Sequence, residues 1–482
     1  MGKLYIFAIG GTGSRVLKSL TMLLATGVKI NASEIVPIII DPDNAAGDLT
    51  RTVEYIRDYQ AIRNHLKFTS NNKNAFWGTN FNCIVPGIVF PIQNTQNSTF
   101  SNFINYQGLN VENQALASIL FSQNNLNSNM QVGFKGNPNI GSVVLNQFQN
   151  SNVFASIAST FKQGDRIFII SSIFGGTGAS GFPLLIKNLR NLNTAIPGGG
   201  FVKDAPIGAI TVLPYFSIRP QSKNDEINSS TFISKSKSAL SYYEKNLKEA
   251  NVLYYVSDTD NNKQYEYSVG GKTQKNDAHF IEMLSALSII DFMNVPNGDN
   301  SLINQNGKPQ QPTTYKEYGL LNDSADITFD DLSEQTNSMI GKPLTQFLLF
   351  VRYFRDNSDY QSYPWAKNKK FDDNFYSSAF FKKVKDFNDQ VFNWFEEMSS
   401  NNRSFTPYQL KGNKNELFEF VKGLKPAKLM TIDSNYDLFN SYLNKTEKEL
   451  GNGNMSKEES FVELFYRATE NLTKDKLKDV RL

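Results

Sequence analysis

Residues 170–183 read ISSIFGGTGASGFP. This stretch joins an apolar run over 166–172 to a glycine-rich turn over 175–181, which leads into a helical pattern over 182–190. Glycines in such a turn let backbone N–H groups face inward and leave room for a phosphate. The dipole of the following helix favours the same anion. The order of strand, glycine turn and helix therefore predicts an α/β fold with a parallel sheet and a phosphate-binding turn.

The same order occurs at the N-terminus. An apolar strand is predicted over 4–9, followed by the turn GGTGS over 10–14, a helix, and a second strand over 35–40 that ends at Asp41. Another glycine loop, GFKGNPNIG over 133–141, leads into a helix predicted over 142–149. Because the carboxyl ends of parallel strands share one edge of a sheet, we expect the three glycine loops to converge there.

The remaining pattern predicts strands over 207–213 and 252–256, a helix over 230–249, a buried helix over 277–293, a linker or long loop over 294–325, a strand over 346–354 and a helical tail. We expect a nucleotide-binding domain over 1–272, a central connecting helix over 273–294, a second α+β domain over 295–400 and a C-terminal helical region over 401–482.

Composition excludes several kinds of chemistry. The chain has 482 residues, a formal net charge of +3, one cysteine (Cys83) and two histidines. These counts exclude a disulfide framework, a multi-cysteine zinc or iron–sulfur site and a histidine-rich metal centre. The balanced charge argues against direct nucleic-acid binding, and no apolar run reaches the ~20 residues that span a bilayer. We expect a cytoplasmic protein.

Two familiar phosphate folds fit the sequence less well. A P-loop requires G-x-x-x-x-G-K-[ST], but at the sequence GGKT over 270–273 Glu266 stands where the first glycine belongs. A Rossmann dinucleotide site remains an alternative, since Gly11 and Gly13 fit its first half and Asp41 fits its ribose-binding acid. Val16 replaces its third glycine, however, and the other two loops stay unexplained.

The ordered loops resemble those of the tubulin/FtsZ superfamily of GTPases. The resemblance extends over about residues 1–355 and is closer to divergent bacterial tubulin-like proteins than to FtsZ itself. It comprises the signature loop GGGTG[ST]G at 170–183 and the loops around the phosphates at 9–15 (IGGTGSR) and 133–141. It also comprises the second strand and acidic loop at 38–44 (IIIDPDN) and the strand beside the ribose at 209–220 (AITVLPYFSIRP). Two further parts are the central helix from 277 and the segment 325–332 (ADITFDDL), which resembles the acidic FtsZ segment NLDFADV.

This resemblance implies binding of GTP/GDP with Mg²⁺ and head-to-tail self-association into filaments, in which the acidic loop of the next subunit completes the hydrolytic site. Magnesium would be held mainly by phosphate oxygens and water, so we expect no metal site made of protein ligands. The nucleotide-binding residues that it implies are Gly10, Gly11, Thr12, Gly13, Ser14, Arg15, Asp41, Gly136, Asn137, Gly175, Gly176, Thr177, Gly178, Ala179, Ser180, Glu226, His279, Phe280 and Glu282.

Some of these positions depart from the family pattern or have ordinary alternatives. Phe174 replaces the first signature glycine, whereas Thr177 is kept and can donate its hydroxyl to a phosphate oxygen. His279 and Phe280 are candidates for stacking on the base, with the alternative that they are ordinary helix residues. The same alternative holds for the candidates for hydrogen bonds to the base and ribose, which are Asn276, Asp277, Glu282, Asn224, Asp225 and Glu226.

The catalytic candidates that the resemblance implies are Asp331, Asp326 and Asp330. Asp331 would polarise the attacking water. Thr328 stands where FtsZ has an aspartate, so hydrolysis could be slow or lost. The alternative for this cluster is a helix start with Thr328 as the N-cap.

Three functions therefore compete. The first is a filament-forming GTPase. The second is a nucleotide-gated scaffold with weak or no hydrolysis, whose C-terminal region binds a protein partner. The third and least favoured is a Rossmann-type dinucleotide enzyme.

Overall fold

The structure is a computed structural model that describes residues 1–69, 72–134, 136–219, 229–258, 264–266, 271–317, 324–367, 370–411, 417–418, 420–422, 435–451 and 454–477.

Its strands are β1 (Leu4–Ile9), β2 (Ile35–Ile40), β3 (Arg166–Ser172), β4 (Ile207–Val212), β5 (Ser217–Arg219), β6 (Val252–Val256), β7 (Gln264–Glu266), β8 (Asn304–Gln305), β9 (Lys308–Pro309), β10 (Thr314–Glu317), β11 (Asp326–Ile327) and β12 (Ser404–Phe405). Its α-helices are α1 (Gly10–Ala25), α2 (Gly47–Arg63), α3 (Phe100–Phe103), α4 (Val111–Leu120), α5 (Gln123–Leu126), α6 (Pro138–Leu145), α7 (Asn152–Ser159), α8 (Gly176–Arg190), α9 (Gly199–Asp204), α10 (Ser229–Asn246), α11 (Phe280–Asn294), α12 (Glu334–Asp356), α13 (Asp373–Tyr376), α14 (Ala379–Ser399), α15 (Asn435–Leu450) and α16 (Lys457–Lys476).

Six strands form the main sheet, in the order β10-β6-β4-β3-β1-β2. Every neighbouring pair is parallel. All residues of β1, β2, β3 and β4 are buried, as expected for strands that are covered on both faces. The mixed α/β architecture predicted from the sequence is therefore confirmed. The carboxyl ends of all six strands lie on one edge of the sheet, which we call the carboxyl edge.

Helices cover both faces of this sheet. Ile167 and Phe168 are neighbours on β3, so their side chains point to opposite faces. The Ile167 face meets α8 through Leu189. The Phe168 ring lies 5.6 Å from the Phe292 ring of α11, which covers the other face. The glycine loops at the carboxyl edge are thus held between two helical layers.

The central helix α11 begins at Phe280, three residues later than predicted, and is buried along almost its whole length. At its end, Arg166 donates hydrogen bonds of 2.7 Å to the carbonyls of Phe292 and Val295. Arg166 is the first residue of β3, so α11 runs from the carboxyl edge to the opposite edge of the sheet.

The segment predicted as a linker over 294–325 contributes a strand to the main sheet. Within it, β10 pairs in parallel with β6, from Thr314 opposite Val252 to Glu317 opposite Tyr255. A run of four residues with alternating burial is too short to stand out among asparagines and prolines. After β10 the chain is therefore back at the carboxyl edge.

The strand predicted over 346–354 is wrong, because these residues lie inside α12. All nine of them are buried, so the apolar run hides the helical period that would otherwise distinguish a helix from a strand. The helices α12, α14 and α16 pack together and carry much of the aromatic core. In the described part of the chain, no helix has the length and apolar character needed to cross a membrane.

Candidate functional site

The first glycine loop turns β1 directly into α1. Gly10 follows the last residue of β1 and has a φ of +72°, a conformation that favours glycine. A side chain placed there would come within 3.6 Å of Cβ of Thr177, in the third glycine loop. The first and third loops are therefore neighbours at the carboxyl edge.

The third loop is the first part of a helix rather than a separate turn. We predicted that α8 begins at Phe182, but it begins at Gly176. The Ser180 hydroxyl donates a 2.7 Å hydrogen bond to the Gly176 carbonyl inside this first turn. The glycines therefore allow a helix to start at once from β3, where glycine-rich composition had suggested a loop.

The second loop closes over the start of α8. A Cβ on Gly176 would lie 3.0 Å from the backbone nitrogens of Gly136 and Asn137, so only glycine fits there without a shift. Asn137 caps α6, which begins at Pro138 and not at the predicted residue 142. The predicted convergence of the three glycine loops is confirmed by these contacts.

The N-termini of α1 and α8 have no side-chain cap and no acidic residue in the first turn, as is also true of the six-residue α9. The helix α2 lacks a side-chain cap as well, but it has Asp48 in its first turn. By contrast, the described residues cap α6, α12, α14 and α16 with Asn137, Ser333, Ser378 and Ser456. The first N–H groups of a helix have no partner within the helix, and the helix dipole makes its N-terminus positive. Two such ends side by side form an arrangement that suits an anion.

Two of the hydroxyl groups in the loops already donate hydrogen bonds within their own helices. Ser14 donates to the Gly10 carbonyl at 3.3 Å, and Ser180 donates within α8, so both hydroxyl protons are used inside the helices. The backbone carbonyl of Ala179 accepts a hydrogen bond from Tyr243 at 3.2 Å. Thr177, largely buried, lies between the first and second loops, with its Oγ1 within 3.9 Å of where a Gly133 side chain would begin.

Arg15 is buried and bound to other protein groups. Its guanidinium donates to Glu282 at 2.6 Å, to Asp48 at 3.0 Å and to the Tyr215 hydroxyl at 2.7 Å, with a longer contact of 3.3 Å to Thr12. Burial alone lowers the pKa of Arg15, but the oxygens of Tyr215, Glu282 and Asp48 outweigh it and hold that pKa well above its usual value. The positive charge is thus already balanced inside the protein.

Glu282 is the matching buried carboxylate. It accepts hydrogen bonds from Arg15 and from the Tyr215 hydroxyl (2.8 Å), and its other oxygen accepts from the His279 backbone N–H at 3.2 Å. Burial raises the pKa of Glu282, but the charges of Arg15 and Lys18 outweigh this effect and lower it. We predicted Arg15 and Glu282 at the nucleotide; the structure pairs them with each other.

The ion network extends to the C-terminal half of the chain. Arg51 donates to Glu397 at 2.6 Å and to Asp48 at 3.2 Å, and Lys18 lies 3.5 Å from Glu397. Glu397 belongs to α14, so the network joins α1, α2, α11 and α14. Burial is the main reason that the pKa of Lys18 is lowered.

Of the residues predicted to recognise the base, His279, Phe280 and Glu282 are enclosed, whereas Asn276 and Asp277 are partly exposed. His279 caps α11, since its Nδ1 accepts from the Ile281 N–H at 3.1 Å, and its ring lies 5.0 Å from that of Tyr215. Phe280 has no exposed surface and stacks on Phe405 with ring centroids 5.2 Å apart. In this structure Phe280 offers no open ring face, so its predicted stacking on a base is not supported. Asn224, Asp225 and Glu226 lie outside the described residues.

The acidic segment over 324–331 lies at the carboxyl edge. Arg403 donates to Asp258, just after β6, and to the Ser324 carbonyl, both at 2.8 Å. Ser404 then donates to Asp326 at 2.6 Å. The candidate acids are therefore on the same edge as the glycine loops of their own subunit. That Asp326, Asp330 and Asp331 act at the phosphates of a neighbouring subunit stays a prediction.

Asp331 also has a local structural task. Its Oδ2 accepts hydrogen bonds from the Thr328 backbone N–H at 2.8 Å and from the Thr328 hydroxyl at 3.0 Å. These bonds close a short 3₁₀ helix over Phe329–Asp331. The alternative reading of this cluster as a helix start with Thr328 at the N-cap is therefore confirmed.

Comparisons with known proteins give little beyond this. No protein-family model matches the sequence, and no curated protein matches it. Among solved structures, CetZ2 from Haloferax volcanii, in a GTPγS-bound protofilament, is 12% identical, with 62% of this chain and 61% of that chain covered and a TM-score of 0.30. CetZ from Methanosaeta thermophila is 15% identical, with 62% and 56% covered and a TM-score of 0.32. The chain thus spans less than two thirds of either protein, and TM-scores this low support no conclusion about it.

One further carboxylate lies beside the first loop. Asp41, at the end of β2, is buried, and burial raises its pKa to about 7 despite a 3.0 Å hydrogen bond from the Asp43 N–H. Asp43 in turn accepts from the Gly271 N–H at 2.6 Å, so this part of the P-loop-like GGKT sequence fastens the β2 loop. Within the described residues, no group of histidine, cysteine or carboxylate side chains is arranged to hold a metal ion.

Several residues of the site could not be identified from the sequence. Tyr215 follows β4 and lies in the segment 209–220, whose resemblance to the strand beside the ribose was a partial signal. No sequence motif marked the other residues of the ion network, which are Asp48, Arg51, Lys18 and Glu397. Since partners such as Arg51 and Glu397 are 346 residues apart, only the folded chain shows that they meet.

Proposed function

We propose that the chain binds a nucleoside triphosphate, GTP in particular, with its phosphates on the glycine loops, and that the bound nucleotide controls self-association. The observation that carries this proposal is the pair of uncapped helix N-termini, α1 and α8, side by side with the second glycine loop. Uncapped N–H groups and two helix dipoles together favour a multiply charged anion. The resemblance of the loops to the tubulin/FtsZ superfamily supplies the choice of GTP and of filaments.

The residues present fit a phosphate chain better than they fit a metal ion alone. Gly176 lets the second loop approach where a Cβ would press on the backbone of Gly136 and Asn137, and the backbone of α8 supplies the donors. A bound Mg²⁺ would be held by phosphate oxygens and water, where it would offset negative charge. Arg15 contributes indirectly, since it holds the first turn of α1 against Glu282 and Asp48.

A second function, a nucleotide-gated scaffold with little hydrolysis, is favoured by the place of the acidic segment. Asp331 is bound by Thr328, and the segment lies on the same edge as the subunit's own glycine loops. In this function the C-terminal region, 401–482, would bind a protein partner.

One experiment separates these functions. Purified protein is mixed with GTP and Mg²⁺, and light scattering and phosphate release are followed together. Scattering with stoichiometric release supports the filament GTPase, while scattering or binding without release supports the scaffold. Binding of NAD but not of GTP would overturn both and support a dinucleotide enzyme.

A further inference from the structure

A cavity of about 540 Å³ lies between α6, α8 and α10. This volume is within the range of about 300–1,000 Å³ that is usual for small-molecule sites. The cavity follows one face of α8 from Gly175 to Lys187, about 18 Å along the helix axis. We call it the α8–α10 cavity.

One end of the α8–α10 cavity adjoins the glycine loops. Gly136 and Gly175 both line it, and they also form the second and third loops. Lys235 of α10 donates a 2.7 Å hydrogen bond to the Gly136 carbonyl and so draws α10 towards this end. A ligand whose phosphates lie on the N-terminus of α8 therefore has this cavity beside it.

The walls of the cavity suit a planar heterocycle with a sugar. Tyr242 is about half exposed and lines the cavity, as do the apolar side chains of Pro183 and Leu184. Asn139 adds an amide that can donate and accept hydrogen bonds, and Ser238, whose hydroxyl donates to the Ser234 carbonyl at 3.1 Å, can accept one. Aromatic side chains bind nucleic-acid bases by stacking on their faces.

Three of the side chains expected at the base are closed off from solvent. His279, Phe280 and Glu282 are each at most 3% exposed, whereas Asn276 and Asp277 are partly exposed. A base that reached the three buried side chains would have to break the buried Arg15–Glu282 pair and the cap of α11. Separating a buried ion pair is costly, whereas the α8–α10 cavity is already open.

We propose that the base and ribose of the bound nucleotide enter the α8–α10 cavity, with the base stacked on Tyr242. The proposal rests on the proposed function, because the phosphates on the glycine loops determine where the nucleoside begins. It differs from the sequence-based expectation in assigning base recognition to α10 and α8 instead of the start of α11.

The first test fills the cavity. Ser238→Trp places an indole inside it, and Ser241→Trp, on the same helix but outside the lining, is the matched control. Binding of GTP and of inorganic tripolyphosphate is measured by calorimetry, after circular dichroism has shown that both variants are folded. We expect Ser238→Trp to weaken GTP about tenfold or more and to leave tripolyphosphate unchanged, while Ser241→Trp leaves both unchanged.

The outcomes separate this inference from the proposed function. If the wild-type protein binds tripolyphosphate and GTP, and Ser238→Trp binds GTP as the wild type does, the cavity is not the nucleoside site. If the wild-type protein binds neither compound, the proposed function itself is wrong.

The second test uses the tyrosine and does not depend on an added bulky group. Tyr242→Ala should weaken GTP about tenfold, while Tyr242→Phe keeps the ring and should restore the affinity. Photolabelling with 8-azido-GTP should mark residues 234–243. Labelling of residues 276–284 instead would return the base to the start of α11 and overturn the inference.

Discussion

The buried pair of Arg15 and Glu282 allows a sharp test of what these two residues do. Glu282→Gln keeps the shape of the side chain but removes its charge, while Arg15 retains Asp48 as a partner. Breaking a buried ion pair costs about 3–5 kcal/mol, and because Asp48 remains we expect the lower end, about 3 kcal/mol of unfolding free energy. The control is Asp389→Asn, which removes the exposed pair with Arg355 and should cost no more than about 1 kcal/mol.

The assay has two parts. Urea unfolding followed by circular dichroism at pH 7 should show a clearly lower midpoint for Glu282→Gln than for Asp389→Asn. Calorimetry with the folded variant should show GTP affinity within about threefold of the wild type, since Glu282 is enclosed by protein groups. An unchanged urea midpoint together with much weaker GTP binding would refute this reasoning and place Glu282 at the nucleotide.

The same pair has a pH signature. Folding lowers the pKa of Glu282, chiefly because the charges of Arg15 and Lys18 outweigh its burial. The stabilisation is therefore present above the unfolded pKa of about 4.3 and is lost as the pH falls through the lower folded pKa. Glu282→Gln should lack this acid-dependent loss in urea midpoints measured from pH 7 downward.

Three other predictions concern single residues. Because burial raises the pKa of Asp41 to about 7, the contribution of Asp41 to stability should be most favourable below about pH 4, decrease between about pH 4 and pH 7, and then level off; Asp41→Asn should remove this decrease from the curve of urea midpoint against pH. Asp331→Ala removes the hydrogen bonds to Thr328 and should lower the unfolding free energy by about 1 kcal/mol without changing any phosphate release. Lost release at unchanged stability would make Asp331 catalytic. Phe350→Ala should lower the unfolding free energy by about 3–5 kcal/mol, because this fully buried ring packs in the aromatic core of α12; a loss below about 1 kcal/mol would contradict that packing.

The main sheet and its glycine loops could be predicted because their signals are local. Buried parallel strands such as β1 and β3 are short apolar runs followed at once by glycine, and that order implies both the sheet and the edge where the loops meet. The helices that begin at Gly176 and Pro138 were predicted to begin later in the chain, since glycine and proline are normally signs of a loop. Here they begin helices, because Gly176 fits under the second loop and proline is tolerated in a first turn.

The rest depended on contacts between distant parts of the chain. Residues 346–354 of α12 are buried on every side, so their period carried no information. Phe280 was a candidate for stacking on the base, but β12 brings Phe405 across from the C-terminal half and covers it. Likewise β10 brings the acidic segment back to the carboxyl edge, a reversal that no local pattern indicates.

In the proposed function, the start of α8 binds the phosphates of a nucleotide. This binding is tested most directly by calorimetric titration of GTP into Gly176→Ala, with Gly200→Ala as the control. A Cβ on Gly176 would press on the backbone of Gly136 and Asn137, whereas one on Gly200 would meet nothing within 4 Å. We predict that Gly176→Ala stays folded and loses measurable GTP and tripolyphosphate binding, while Gly200→Ala binds both as the wild type does. Wild-type affinity for GTP in folded Gly176→Ala would contradict this placement of the phosphates.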